Sequence, residues 1–182
     1  MQTLLWFDRD RVRLVAPFRV QLLKWVGSKQ RFAHEIASYF PPDIRTYIEP
    51  FLGSGAVLGT LGHHAALGSD AFDPLMQIWR MLKNAPETLK TWYADRWGMV
   101  QSTGKEKAYA AIRDAFNAKP NGADLLFLCR ACYGGVVRFR QADGFMSTPC
   151  GVHTPIHPAA FARRVDHWRT RVAGTTFATL DY

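Results

Sequence analysis

An α/β fold is predicted for this chain of 182 residues, on three observations. The stretch Tyr47–Leu58 reads as a short apolar run, an acid and a proline, a turn carrying Gly53 and Gly55, and the start of a second apolar run, 56–61. A further apolar run, 65–69, stops at Asp70, and another, 175–180, follows a long helical segment. Short apolar runs bounded by turn residues read as buried strands, and helices between them are the crossovers that parallel pairing requires.

The first of these stretches organises the rest. A buried strand hands over to a helix through a glycine loop, whose missing Cβ atoms let the backbone pass close to a ligand. The new helix end offers unpaired N–H groups. An acid closing the second strand, about twenty residues beyond Glu49, is where a nucleoside ribose is held by its two hydroxyls. Glycine loop and acid together point to a nucleotide-like cofactor; Gly-x-Gly alone is more often a tight turn.

Composition bounds the class. With 48% apolar residues the chain can build one sizeable core. Lys and Arg number 23 against 15 Asp and Glu, a net charge of +8, with a pI near 9.7. That balance favours an acidic partner, nucleic acid first, although Arg-rich faces are also simply solvated. No apolar stretch reaches the ~18 residues of a membrane span, and Met1–Val15 is too charged for a secretory signal. Three cysteines, an odd number, argue for a reducing interior rather than a disulfide framework. A cytoplasmic protein is expected.

Along the chain, residues 1–22 mix Arg with Leu, Val and Phe without periodicity; a lead-in strand and a basic arm are both open. Lys24-Trp25-Val26-Gly27-Ser28-Lys29-Gln30 precedes a helix over 31–40, with Phe32, Ile36 and Tyr39 on one face. A Trp and a Gly between lysines there suit an anion and a flat ring, or an ordinary helix start. Helices follow at 73–83, with Pro74 in the first turn, at 87–97 and at 105–118. The stripe of Leu89, Trp92, Tyr93 and Trp97 is assigned to the core. Gly122–Cys132 is a buried helix that ends at Tyr133-Gly134-Gly135. Val136–Arg140 and Phe145–Thr148, joined by Asp143-Gly144, form a β-hairpin with Arg138 and Arg140 on one face. Such a hairpin beside a stacking-capable tyrosine suits a DNA groove, or is a solvated face. A last helix, 158–172, turns Phe161, Val165 and Trp168 inward and Arg163, Arg164, Arg169 and Arg171 outward, and strand 175–180 follows Gly174.

Taken in order, Lys24–Lys29, Ile48–Val57, Ser69-Asp70 and Tyr133–Arg138 resemble the ordered motifs of the Dam-type (D12 class) DNA adenine-N6 methyltransferases, over essentially all of 22–182. The resemblance implies a Rossmann-like S-adenosylmethionine-dependent methyltransferase fold with an incomplete sheet and a helical plus β-hairpin target-recognition insertion. It divides the chain into a cofactor-binding part at 22–72, a target-recognition region at 73–174 and a returning strand at 175–182. It implies S-adenosylmethionine as cofactor, with Trp25, Lys29, Glu49, Pro50, Phe51, Gly53, Ser54, Gly55 and Asp70 around it. It implies double-stranded DNA as partner, met by Lys24, Tyr133, Arg138 and Arg140, with Tyr133 wedging or stacking while the target adenine is flipped. Phe72 stands where many members carry Asn, and Ser28 and Ser54 where many carry Gly or Ala.

One family motif is absent. The catalytic Asp-Pro-Pro-Tyr accepts the adenine amino hydrogens and stacks on the flipped base. It occurs nowhere in these 182 residues, so no catalytic residue is assigned. Phe40-Pro41-Pro42-Asp43 and Asp73-Pro74-Leu75 differ from it in order and place. The strand carrying it would pair with 47–49, leaving that edge open. The expectation is a truncated or split enzyme, with a second polypeptide carrying the catalytic half. The alternatives are a catalytically inactive remnant that binds DNA or cofactor, and a zinc module built from Cys129, Cys132, Cys150 and His153 in Cys-x2-Cys…Cys-x2-His spacing. Against zinc, Cys129 and Cys132 lie in an apolar helix.

Overall fold

The computed structural model describes residues 14–181. The first thirteen residues of the leader and Tyr182 lie outside the described residues. The rest of the leader, 14–22, forms neither strand nor helix. The elements run α1 (Ala33–Ser38), β1 (Tyr47–Glu49), α2 (Ala56–Leu61), β2 (Ala66–Asp70), α3 (Asp73–Asn84), α4 (Pro86–Thr103), α5 (Lys105–Ala118), α6 (Gly122–Ala131), a short 3-10 turn (Tyr133–Gly135), α7 (Pro158–Arg171) and β3 (Thr175–Thr179).

The three strands make one parallel sheet in the order β1-β2-β3. Tyr47 pairs with Ala66, and Ala66 with Thr175. The first crossover is α2 and the second is the whole run α3–α7, so the insertion is threaded between neighbouring strands. Both are connections of the length that parallel pairing demands. The sheet packs on α3, which also meets α6 and α7, while α4 packs on α5, α6 and α7. At the junction Trp79 of α3 lies between Trp168 of α7, at 5.2 Å, and Phe177 of β3, at 5.7 Å. All three rings are buried. The sheet and the helices α3–α7 thus share one apolar core.

Three elements differ from their sequence expectation. Helix α1 turns Ala33, Ala37 and Ser38 inward and leaves Phe32 and Tyr39 exposed, because its small residues are what let it lie close on α2. Helix α4 runs past 97 to Thr103: Gly98 is exposed with open space around it, so it does not break the helix, and the stop is Gly104. The hairpin is reduced to a single antiparallel bridge, Phe139 with Met146. The Thr148 hydroxyl accepts from Arg138 N–H at 2.9 Å and donates to Val136 O at 2.8 Å. The Asn117 amide takes both backbone groups of Met146. Side chains therefore occupy the positions a longer ladder needs. Among the described residues no helix is long and apolar enough to cross a membrane.

Candidate functional site

Strand β1 ends at Glu49, and the chain turns through 50–55 into α2. Gly53 and Gly55 have φ of +48° and +61°, a region closed to most side chains. A Cβ at Gly55 would also lie 2.8 Å from the Trp79 ring. Trp79 in turn donates its indole N–H to Gly53 O at 3.1 Å. An α3 residue is therefore the floor of the loop. At the end of β2, Asp70 accepts from Gly53 N–H at 3.1 Å through one oxygen and from Phe72 N–H at 3.2 Å through the other. Each carboxylate oxygen keeps a further lone pair for a ligand hydroxyl. Ser54 donates to Ser28 Oγ at 2.8 Å, tying the glycine loop to the 24–30 loop.

Between the two loops is a cavity of about 290 Å3. Of the residues expected around the cofactor, Trp25, Lys29, Glu49, Phe51, Gly53, Ser54 and Asp70 line it. Gly55 lies beneath, buried against Trp79. Pro50 faces a separate groove along the outer side of β1. Val26, Gly27, Ser28, Leu52 and Ala56 also line the cavity; their sequence signal was only adjacency to the named residues.

Glu49 is the most perturbed acid of the site. Burial pushes its carboxyl up to about 7, against hydrogen bonds from Tyr47 and from Leu58 N–H that favour the charged form. Those bonds are 3.0 Å each. The Leu58 bond means that the first turn of α2 is not wholly unpaired, as the glycine-loop pattern suggested: Glu49 satisfies one of its N–H groups. A buried acid near neutrality beside an exposed lysine and aromatic rings suits a ligand carrying hydroxyls, a flat ring and a cation.

A second cavity, of about 370 Å3, is lined by Lys24, the residue before Trp25. It brings Lys24, Tyr133 and His153 together with Arg130. Lys24 and Tyr133 are exposed, and the Lys24 stem lies so close to Gly135 that a Cβ there would meet it at 2.5 Å. Arg138 and Arg140 do not line this cavity. Arg138 is exposed; Arg140 is bound to Asp143 at 2.6 Å and lies 4.3 Å over the Phe145 ring. The hairpin reaches the first cavity through rings: Phe139 meets Phe72 at 5.3 Å, and Phe72 stacks on Trp25 at 6.1 Å.

Arg130 went unnoticed in the sequence although a charge inside an apolar helix demands partners. It donates to Gln21 O at 3.2 Å and Leu22 O at 2.7 Å. Arg164, expected outward, donates to Gln21 O at 2.8 Å, and Trp168 to Val20 O at 2.8 Å. The leader segment just before Lys24 is thus held by three side chains of α6 and α7.

The zinc reading is corrected by geometry. Among the described residues no three His, Cys, Asp or Glu side chains sit together as a metal group. Cys129 is fully buried with its thiol toward Leu126 O, while His153 is exposed. Cys129 lies inside α6 in the core, whereas Cys132 caps that helix and faces Cys150 across a bridge.

The fold is a Rossmann-like methyltransferase fold with an incomplete parallel sheet. The family profile of the D12 class N6 adenine-specific DNA methyltransferases matches residues 25–168. The chain belongs to that family. It is 32% identical over 153 residues to the DNA N-6-adenine-methyltransferase of Escherichia phage P1, covering 81% of this chain and 20% of that protein. It is 29% identical over 150 residues to the type II methyltransferase M.MjaIII of Methanocaldococcus jannaschii, covering 72% of this chain and 50% of that one. With the DNA adenine methylase of Vibrio cholerae it shares 28% over 127 residues, covering 68% and 45%. The chain thus spans half or less of the length of these relatives.

Proposed function

We propose that this chain binds S-adenosylmethionine in the first cavity and double-stranded DNA across Lys24, Tyr133 and Arg138, as the cofactor and recognition portion of a site-specific adenine-N6 DNA methyltransferase. The observation that carries the reading is adjacency: Lys24 and Trp25, consecutive residues, line the two cavities. A flipped base and a methyl donor must meet, and these cavities are neighbours. When bound, the cofactor supplies an electrophilic methyl group on a sulfonium.

The residues of the chain bind and orient. Asp70 accepts from ribose hydroxyls while it holds the glycine loop, Glu49 offers a carboxylate to the cofactor's cationic end, and Trp25 and Phe51 flank a ring. Tyr133 stacks in the duplex as the target base leaves it, and Arg138 reaches a base edge. By position, 22–72 is the cofactor part, 73–174 the recognition region and 175–182 the returning strand, with Trp79 crossing that boundary to support the loop. Work on intracellular DNA places the protein in the cytoplasm.

The acceptor side of the reaction, Asp-Pro-Pro-Tyr, we assign to a strand of a second polypeptide laid along the outer edge of β1. The test is transfer of label from S-adenosylmethionine to unmethylated DNA. The purified chain should bind cofactor and DNA but leave adenine unlabelled. Labelling by the chain alone would overturn the assignment; binding without transfer under any complementation would make it a binding protein only.

A further inference from the structure

The antiparallel bridge between Cys132 and Cys150 joins two segments of different origin. Tyr133 N–H donates to Pro149 O at 2.9 Å and Gly151 N–H to Ala131 O at 2.8 Å. These bonds flank the two cysteines, which therefore face each other as a non-hydrogen-bonded antiparallel pair. In such a pair the Cα atoms stand about 4.5 Å apart and the side chains share one face. A disulfide spans Cα separations of about 4.4–6.8 Å. The Cys132 thiol now faces Cys129 O at 4.0 Å and the Cys150 thiol Gly151 O at 3.6 Å, so closing the bond requires both side chains to rotate.

We propose that Cys132 and Cys150 are a redox modification site, closing to a reversible intramolecular disulfide that locks the two walls of the second cavity. Cys132 immediately precedes Tyr133 and Gly134, one wall; Cys150 immediately precedes the 151–156 segment, the other. Gly151 already lies against the carbonyls of Ala131 and Cys132, where a Cβ would fall at 2.8 and 2.9 Å. With the bond closed, the walls cannot part.

The oxidant class is a peroxide. The half-exposed Cys150 thiolate attacks a peroxide oxygen, giving a sulfenic acid and hydroxide. The Cys132 thiolate then displaces the second oxygen as hydroxide, forming the S–S bond. Two thiols and one hydrogen peroxide become one disulfide and two waters. Burial pushes the Cys132 thiol up to about 11 and raises that of Cys150 as well. Both are mostly protonated at neutral pH, so closure quickens as pH rises. Cys129 does not compete: it is wholly buried, and burial pushes it to about 12. In a reducing cytoplasm the bond is transient.

The bond itself does not depend on what fills the cavity; its effect on DNA rests on the function proposed above. Reduced full-length protein is treated with hydrogen peroxide, quenched and mapped. Titratable thiols should fall from three to one, with the Cys132 and Cys150 peptides linked and recovery by dithiothreitol. Cys129→Ser should still close; Cys150→Ser should not. A Cys129–Cys132 linkage, a dimer through Cys150 or sulfinic acid alone overturns the proposal. Duplex DNA should bind the closed form several-fold more weakly. Closure with unchanged DNA affinity would leave the site standing and count against the DNA reading of this cavity.

Discussion

Glu49 answers to two opposing influences, and its pH dependence follows from them. Burial favours the neutral acid, so its folded-state pKa of about 7 stands above the ordinary 4.5. The native state therefore keeps a proton that the unfolded chain releases. Stability is highest below that interval and falls as pH rises through it, by on the order of 2 kcal/mol. Glu49→Gln should flatten this part of the profile, read by urea denaturation below and above the interval. A cationic ligand favours the carboxylate instead, so S-adenosylmethionine should bind more tightly as pH rises, with proton release seen by calorimetry in buffers of different ionisation enthalpy. Asp70 gives a second test at this scale. Asp70→Ala removes both the ribose acceptor and the anchor of Gly53 and Phe72. Cofactor affinity should drop while DNA binding stays nearly intact, and stability should fall by about 1–3 kcal/mol. Equal cofactor affinity in the variant would remove the ribose role.

At the scale of elements, the leader is held by side chains. Arg130→Met leaves Gln21 O with one donor and Leu22 O with none, at a cost of about 1–3 kcal/mol. Because Lys24 and Trp25 follow directly, cofactor and DNA affinity should both weaken. A loss of stability with both affinities unchanged would mean the clamp is only packing. This clamp marks the limit of what the sequence made legible. Helices α3, α6 and α7 declare themselves through apolar spacing, an early proline and glycine stops, and the strands β1 and β2 through a glycine loop and terminal acids. Seven cofactor-side residues fall in one cavity for the same reason: a local strand–loop–helix pattern dictates its own geometry. The leader has no periodicity, since its carbonyls bond to Trp168, Arg164 and Arg130, more than a hundred residues away. The shortened hairpin depended on Asn117 from α5, a partner 29 residues from Met146 in the chain. Tertiary hydrogen bonds of this kind leave no local signature.

For the whole molecule, the second polypeptide proposed above would meet the outer edge of β1. Tyr47 N–H is bonded to Ala65 O at 3.0 Å, so in a parallel strand the backbone groups of Ile48 turn to the opposite edge. No strand lies there among the described residues. The Ile48 side chain is 58% exposed, and Phe40, Ile44 and Pro50 extend an apolar groove of about 590 Å3 beside it. An unpaired edge beside an exposed apolar groove invites another strand, short as β1 is. An incoming parallel strand at this edge would end beside Glu49, which lines the first cavity, and in the proposed enzyme it would bring the acceptor groups for an adenine amino group to that point. Ile48→Lys places a charge on that edge without touching Asp70, Trp25 or Lys24. It should leave S-adenosylmethionine and DNA affinity of the isolated chain unchanged, yet abolish methyl transfer in mixtures with a polypeptide carrying an Asp-Pro-Pro-Tyr strand. Undiminished transfer by Ile48→Lys in such a mixture would place the catalytic strand elsewhere, since the apolar sheet face that a paired strand extends there disfavours an unpaired charge.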